Sequence, residues 1–132
     1  MDYQFQEKKV VPFPIMKEWI YKIMLEYGMQ KEDAQVVADH LVVADARGVY
    51  SHGAMRVPIY CKRFEQGGAS PTAQPIVVRK NQASALVDGK NSMGMVASKF
   101  GMDLAIAMAK QAGSATVSVM GSNHLGTCAY WA

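Results

Sequence analysis

The residues best suited to chemistry lie in one short run, Ser51-His52-Gly53-Ala54-Met55-Arg56-Val57-Pro58-Ile59-Tyr60. His52, Arg56 and Tyr60 recur every fourth position, which on a continuous helix sets them on one face, a turn apart. A guanidinium grips a carboxylate through two parallel hydrogen bonds. An imidazole exchanges a proton near neutral pH. With a phenol beside them, these groups suit a small anionic substrate. The same spacing also fits a solvated polar stripe on an amphipathic helix whose start Ser51 caps.

A second candidate is His124, in Gly121-Ser122-Asn123-His124-Leu125-Gly126, where a predicted strand hands over to a helix. Ligands collect at the carboxyl ends of strands in α/β architectures. The glycines and Asn123 allow sharp turns and close approach of a ligand. An ordinary loop histidine is the alternative. His40 sits mid-helix beside apolar positions and reads as a structural or surface residue. Cys61, next to Lys62 and Arg63, reads as packing rather than as an activated thiol. The chain has no Gly-x-Gly-x-x-Gly, P-loop, Gly-x-Ser-x-Gly or His-Glu-x-x-His pattern. No metal site is signalled, and the spacing of Cys61 and Cys128 fits no zinc motif.

The elements that must position these groups follow from periodicity. After an extended arm over residues 1–13, Pro14 opens a helix carrying Ile15, Met16, Trp19, Ile20, Ile23, Met24 and Tyr27 on one stripe. Gly28 ends it. A second helix runs from about Lys31 to Asp45, with Ala34, Val37, Ala38, Leu41, Val42 and Asp45 on its face. A third is expected over about Gly53 to Glu65, with a kink or tight first turn at Pro58. Residues 69–75 form a turn-rich linker. Two short strands follow, Pro75–Arg79 and Ser84–Asp88, then a turn at Asp88-Gly89. A fourth helix spans about Gly94 to Gln111, with Val96, Phe100, Leu104, Ala107 and Met108 on one side. Thr116 to Met120 is a third strand, and the loop around His124 should open another helix. The expected division is a helical unit over 1–70 and a sheet unit over 71–132. Three strands and one crossover helix would leave a sheet edge and an apolar face uncovered.

Composition bounds the rest. The chain has 132 residues, 50% hydrophobic and 19% charged, which excludes a disordered chain and allows one small core. The net charge is +3 with no Lys/Arg run, so nucleic-acid binding has weak support and is not expected. Apolar runs are far too short for a membrane span. Residues 1–9 are too polar for a secretory signal, and two cysteines make no disulfide framework, so a cytoplasmic setting is expected. Tyr130-Trp131-Ala132 closes the chain with apolar surface and no polar tail.

Several of these strings carry a resemblance. They are Asp45-Ala-Arg-Gly-Val-Tyr-Ser-His-Gly53 with Arg56, Pro58 and Tyr60, then Ala85-Leu-Val-Asp-Gly89, and Ser122-Asn-His-Leu-Gly126. In this order and separation they resemble the malate/L-lactate dehydrogenase family of NAD(P)-dependent oxidoreductases that lacks a Rossmann fold. That family includes ureidoglycolate and sulfolactate dehydrogenases, diketogulonate reductase and cyclic-imine reductases. Leu125 stands where the family often has Phe. The resemblance runs from about residue 10 to 132. It implies an α/β fold with an N-terminal helical subdomain followed by the start of a mixed-sheet nucleotide domain, in a homodimer.

The resemblance also implies roles. Arg56 matches a ligand of the substrate carboxylate, and Ser51 and Tyr60 match positions near the substrate. His52 and His124 each match a histidine treated as proton donor or acid/base in some members. The cofactor implied is NAD or NADP, and the substrate a small 2-hydroxy or 2-oxo acid. The chain covers well under half of a family member. Most cofactor contacts are therefore expected to lie after residue 132, and the isolated chain is expected to be inactive. The competing expectation is a non-catalytic module that pairs with itself or with a separately encoded C-terminal half.

Overall fold

A computed structural model of the protein describes residues 10–131. The expected arm therefore lies mostly outside the described residues, as does Ala132. Helix α1 spans Phe13–Glu26 and α2 spans Lys31–Ala46. Two 3-10 turns, Tyr50–His52 and Ala54–Arg56, lead into α3, Val57–Glu65. Strands β1, Ile76–Lys80, and β2, Ser84–Asp88, precede α4, Gly94–Ala112, and β3, Thr116–Met120. A 3-10 turn, Cys128–Tyr130, follows the His124 loop.

The α1–α2 hairpin forms where its sequence breaks. Gly28 follows α1 at φ +82°, the left-handed conformation that glycine adopts without strain. The expected stripe of α1 splits into two rows. Ile20 and Met24 are buried and Met16 packs against the same core. Ile15, Trp19 and Ile23, one position earlier in each turn, stay exposed. A helix shows a neighbour only one row squarely when it docks on a single partner. The face expected for α2 is buried from Ala34 to Val42, and Asp45 is half-buried. His40 and Ala44 are buried as well, because α2 packs on α1, on α4 and on the 3-10 turns.

The third helix differs from its expected form. It starts at Val57, so Pro58 falls in its first turn, deletes no helical hydrogen bond and causes no kink. Ser51 caps nothing; it lies inside the first 3-10 turn. Gly53, extended at φ −96° and ψ −151°, separates the two turns. His52, Arg56 and Tyr60 therefore do not share one continuous helical face.

The sheet has the order β1-β2-β3 and is mixed. β1 and β2 pair antiparallel, with an irregularity between Val77 and Arg79. β2 and β3 pair parallel, with Ser84 opposite Thr116 and Asp88 opposite Met120. Parallel pairing needs a crossover, and α4 supplies it. Gly101 lets α4 lie close on the sheet, since a Cβ there would sit 3.0 Å from Val119. Of the side expected on α4, Val96 and Met108 are buried, Phe100 and Leu104 half-buried and Ala107 exposed. Every residue of β1 is exposed, including Ile76, Val77 and Val78. One core cluster joins Met24, Leu41 and Tyr60 to Met93, Met95 and Val96, so residues on both sides of position 70 share it.

In place of the expected fifth helix, the described residues after the His124 loop form only the Cys128–Tyr130 turn. Tyr130 and Trp131 are half-buried: Tyr130 stacks on the imidazole of His40, Trp131 lies tilted against it, and the two aromatic rings meet edge-on. Among the described residues no helix is long and apolar enough to cross a membrane.

Candidate active site

Two segments far apart in sequence meet at one place. Residues 50–60 come off the end of α2, and the 121–126 loop comes off the end of β3. Asp45, in the last turn of α2, starts the first segment. Its Oδ2 accepts a hydrogen bond of 2.8 Å from the Ala54 backbone N–H. Gly53 is required beside it, because a Cβ there would lie 1.8 Å from Asp45 Oδ1. The carboxylate thus folds the chain back over the end of its own helix and presents Ser51 and His52.

The second segment is anchored by Asn123. Its side-chain amide donates to the Asn91 carbonyl at 3.1 Å, to Asn91 Oδ1 at 2.9 Å and to the Ser92 carbonyl at 3.1 Å. The loop then passes over the start of α4. Gly94 permits this, since a Cβ there would lie 2.1 Å from the Asn123 carbonyl oxygen.

The side chains converge. The Tyr60 hydroxyl lies 3.0 Å from Nδ1 of His124. The rings of His52 and His124 have centroids 5.2 Å apart. The Ser51 hydroxyl lies 2.9 Å from Nδ1 of His52. Arg56 Nε donates to the Ser51 carbonyl, which orients the guanidinium. All five residues expected from the sequence are therefore brought together, by a helix end and a strand end rather than by one helix face.

The electrostatics follow from burial and the two nearby arginines. Tyr60 is 3% exposed, and burial pushes its hydroxyl up to about 12 against the pull of Arg56 and Arg63. His124 is held below its usual value by burial first, then by Arg56, His52 and Arg63. At neutral pH this leaves a protonated phenol beside a neutral imidazole, under positive potential.

Three contributors were not picked out by spacing. Arg63 donates to Asn123 Oδ1 at 3.3 Å and adds charge near His124. Asp45 closes the Ala54 turn. His40 is fully buried, and its Nε2 accepts the Thr127 backbone N–H at 2.8 Å. A polar residue in the middle of an otherwise apolar helix face is the one sequence signal that marks His40. Among the described residues no group of three or more His, Cys, Asp or Glu side chains is placed to hold a metal.

A helical unit and a small mixed sheet define an α/β chain, with Arg56 and Arg63 near two histidines beyond the carboxyl end of β3. The sequence profile described as malate/L-lactate dehydrogenase matches residues 11–132. The chain belongs to that family. It is 38% identical over 122 residues to a malate dehydrogenase of Pyrococcus horikoshii, covering 92% of this chain and 34% of that protein. It is 38% identical over 108 residues to the ureidoglycolate dehydrogenase (NAD(+)) of Escherichia coli, covering 82% of this chain and 31% of that protein. The crystal structure of malate dehydrogenase from Entamoeba histolytica superposes with a TM-score of 0.91 at 36% identity, covering 95% of this chain and 35% of that one. The chain thus spans about a third of the length of the relatives it matches.

Proposed function

We propose that residues 51–60 and 121–126 form the substrate side of an oxidoreductase site. There a hydride passes between NAD or NADP and a small 2-hydroxy or 2-oxo acid. The observation that carries this reading is the Tyr60–His124 hydrogen bond, with the His52 ring and the Arg56 charge beside it.

Each residue has one task. Arg56 spends Nε on Ser51, which leaves both terminal nitrogens for a two-point bond to the substrate carboxylate. In the tautomer this step needs, His124 gives its Nδ1–H to the Tyr60 oxygen and keeps Nε2 to accept the proton of a 2-hydroxy group. In reduction the imidazolium returns that proton from Nε2 to the 2-oxo oxygen. The positive field of the arginines stabilises the negative charge that develops on that oxygen. His52, with Ser51 on its Nδ1, is the second candidate for the proton.

The groove beside the last turn does not by itself fit a dinucleotide. The groove between α4, β3 and the last turn holds about 320 Å³, but its lining is Ser98 and mostly apolar residues, with no Lys or Arg to meet a pyrophosphate. The isolated chain is accordingly inactive in this reading, and the boundary near residue 70 separates a substrate-binding helical unit from a partial nucleotide unit. A cytoplasmic setting and assembly into a homo-oligomer belong to the same reading.

The test is an assay of the purified chain, and of the chain completed with the remainder of the family fold, against a panel of 2-oxo acids with NADH and NADPH. Turnover is expected only from the completed chain. No turnover there on any 2-oxo acid would overturn the assignment, and full turnover by the isolated chain would overturn its inactivity.

A second reading is favoured by the exposed apolar β1 and the open groove. In it the chain is a non-catalytic module that pairs with itself or with a separately supplied C-terminal half. A stable monomer at high concentration by sedimentation would count against it.

A further inference from the structure

His40 lies in the second half of α2. It is fully buried. Its Nε2 accepts the Thr127 N–H at 2.8 Å, so this nitrogen carries the lone pair and the neutral ring holds its proton on Nδ1. That Nδ1 is buried and has no hydrogen-bond partner among the described residues. A buried polar group left unpaired costs about 1–3 kcal/mol, more than a neutral hydrogen bond returns. By that comparison an apolar side chain would serve the core of α2 at least as well as the imidazole does. What only the imidazole supplies is an acceptor for Thr127.

The loop is shaped to reach that acceptor. Gly126 adopts φ +81°, and a Cβ on it would lie 2.2 Å from His40 Nε2. Beyond Thr127 the chain stacks on the same ring, with the Tyr130 centroid 4.3 Å away. At its other end the loop is tied by the three hydrogen bonds of Asn123 to residues 91 and 92. His124 therefore stands on a bridge of three residues between two fixed points, 123 and 127. Fixing the backbone of a residue costs about 1–2 kcal/mol of conformational entropy, and here both ends of the bridge meet that cost in advance.

We propose that His40 is a positioning residue: by accepting the Thr127 N–H it anchors the far end of the 124–126 bridge and so holds the His124 imidazole against Tyr60. This rests on the reading of His124 given above, and it concerns how that ring is held rather than what it does. Among the described residues His40 forms no hydrogen bond with Tyr60, His124 or Arg56; its hydrogen-bond partner is Thr127. Its burial, with the nearby His124 and His52, lowers its pKa to about 4, so at neutral pH Nε2 keeps the lone pair that accepts the Thr127 N–H.

The test follows the His124 imidazole by NMR pH titration in the 132-residue chain without substrate. It compares His40→Gln, His40→Leu and Gly126→Ala. Gln keeps an acceptor for Thr127, whereas Leu has none. Gly126→Ala forces the loop off the ring while leaving His40 intact. Dispersed spectra confirm folding in each. In His40→Leu and Gly126→Ala the pKa of His124 is expected to rise toward its ordinary value of about 6.5 as the ring leaves Tyr60 and its buried position. In His40→Gln it stays where the unmodified chain has it. If His40→Leu fails to fold, Gly126→Ala carries the comparison. A His124 titration unchanged in Gly126→Ala, or one lost equally in His40→Gln, overturns the proposal. Because no turnover is measured, this outcome is independent of whether His124 proves to be the acid/base group.

Discussion

Tyr60 and His124, 64 positions apart, share a hydrogen bond of 3.0 Å between the phenol oxygen and Nδ1. The bond joins α3 to the loop after β3, and it leaves Nε2 as the imidazole nitrogen free for a ligand. Tyr60→Phe keeps the buried ring and removes only this partner. His124 should then titrate at a different pH, and the chain should lose about 1 kcal/mol of stability. NMR titration and thermal unfolding of the two chains check both effects.

In the proposed function, carboxylate binding depends on Arg56. In a chain completed with the rest of the family fold, Arg56→Ala should raise KM for a 2-oxo acid and lower kcat/KM by roughly 10- to 150-fold. That is the range for a lost hydrogen bond to a charged group of about 1.5–3 kcal/mol. Arg56→Lys should recover part of the loss, since a point charge replaces a fork. Unchanged kinetics would remove Arg56 from the site.

The two histidines separate by their pH profiles. His124 is held below its usual value, so it is neutral and able to accept a proton at neutral pH. Oxidation of a hydroxy acid by the completed chain should therefore rise as pH climbs through that lowered value, and then level off. His124→Asn should abolish this limb, while His52→Asn should keep it and move it slightly to higher pH, since one of the groups that lower His124 is then gone. The reverse pattern would assign the proton to His52.

His40 also predicts a stability profile. Its folded value is lowered to about 4, below the ordinary 6.5. The unfolded chain therefore binds a proton between these values that the folded chain excludes. The contribution of His40 is complete above about pH 6.5 and is lost as pH falls toward 4. The loss is at most roughly 3 kcal/mol at about 1.4 kcal/mol per unit. Thermal unfolding across this window should fall more steeply for the unmodified chain than for His40→Gln. Parallel curves would show that His40 does not carry the effect.

Gly53 has no room for a side chain beside Asp45. Gly53→Ala must displace the carboxylate that accepts the Ala54 N–H. A loss of about 1–3 kcal/mol is expected from overpacking, together with movement of Ser51 and His52. Equilibrium denaturation and the His52 chemical shift report the two parts separately.

The order of elements is legible in this sequence because glycines mark so many boundaries. Gly28, Gly48 and Gly113 all follow helices at positive φ, and apolar periodicity fills the intervals. The segment from 51 to 60 is less so. Spacing makes one helix of it, but Asp45 competes for the Ala54 N–H and breaks the run into two short turns. The approach of His124 to Tyr60 is not visible in spacing at all. It depends on the parallel register of β2 with β3, and only the family resemblance linked the two segments. The half-burial of Tyr130 and Trp131 is illegible in the sequence for a similar reason, since the ring that receives them is a histidine 90 residues before Tyr130.

The link between His40 and Thr127 spans 87 positions, whereas α1 and α2 are joined across a four-residue turn. Loop-closure entropy must be overcome before a distant contact returns anything, so near contacts form first. The helical hairpin should thus be in place early, and the His124 loop should close onto it last. Time, as much as geometry, then separates scaffold from site. In pulse-labelled hydrogen exchange the amide of Thr127 should gain protection after that of Leu41, and simultaneous protection would refute this order.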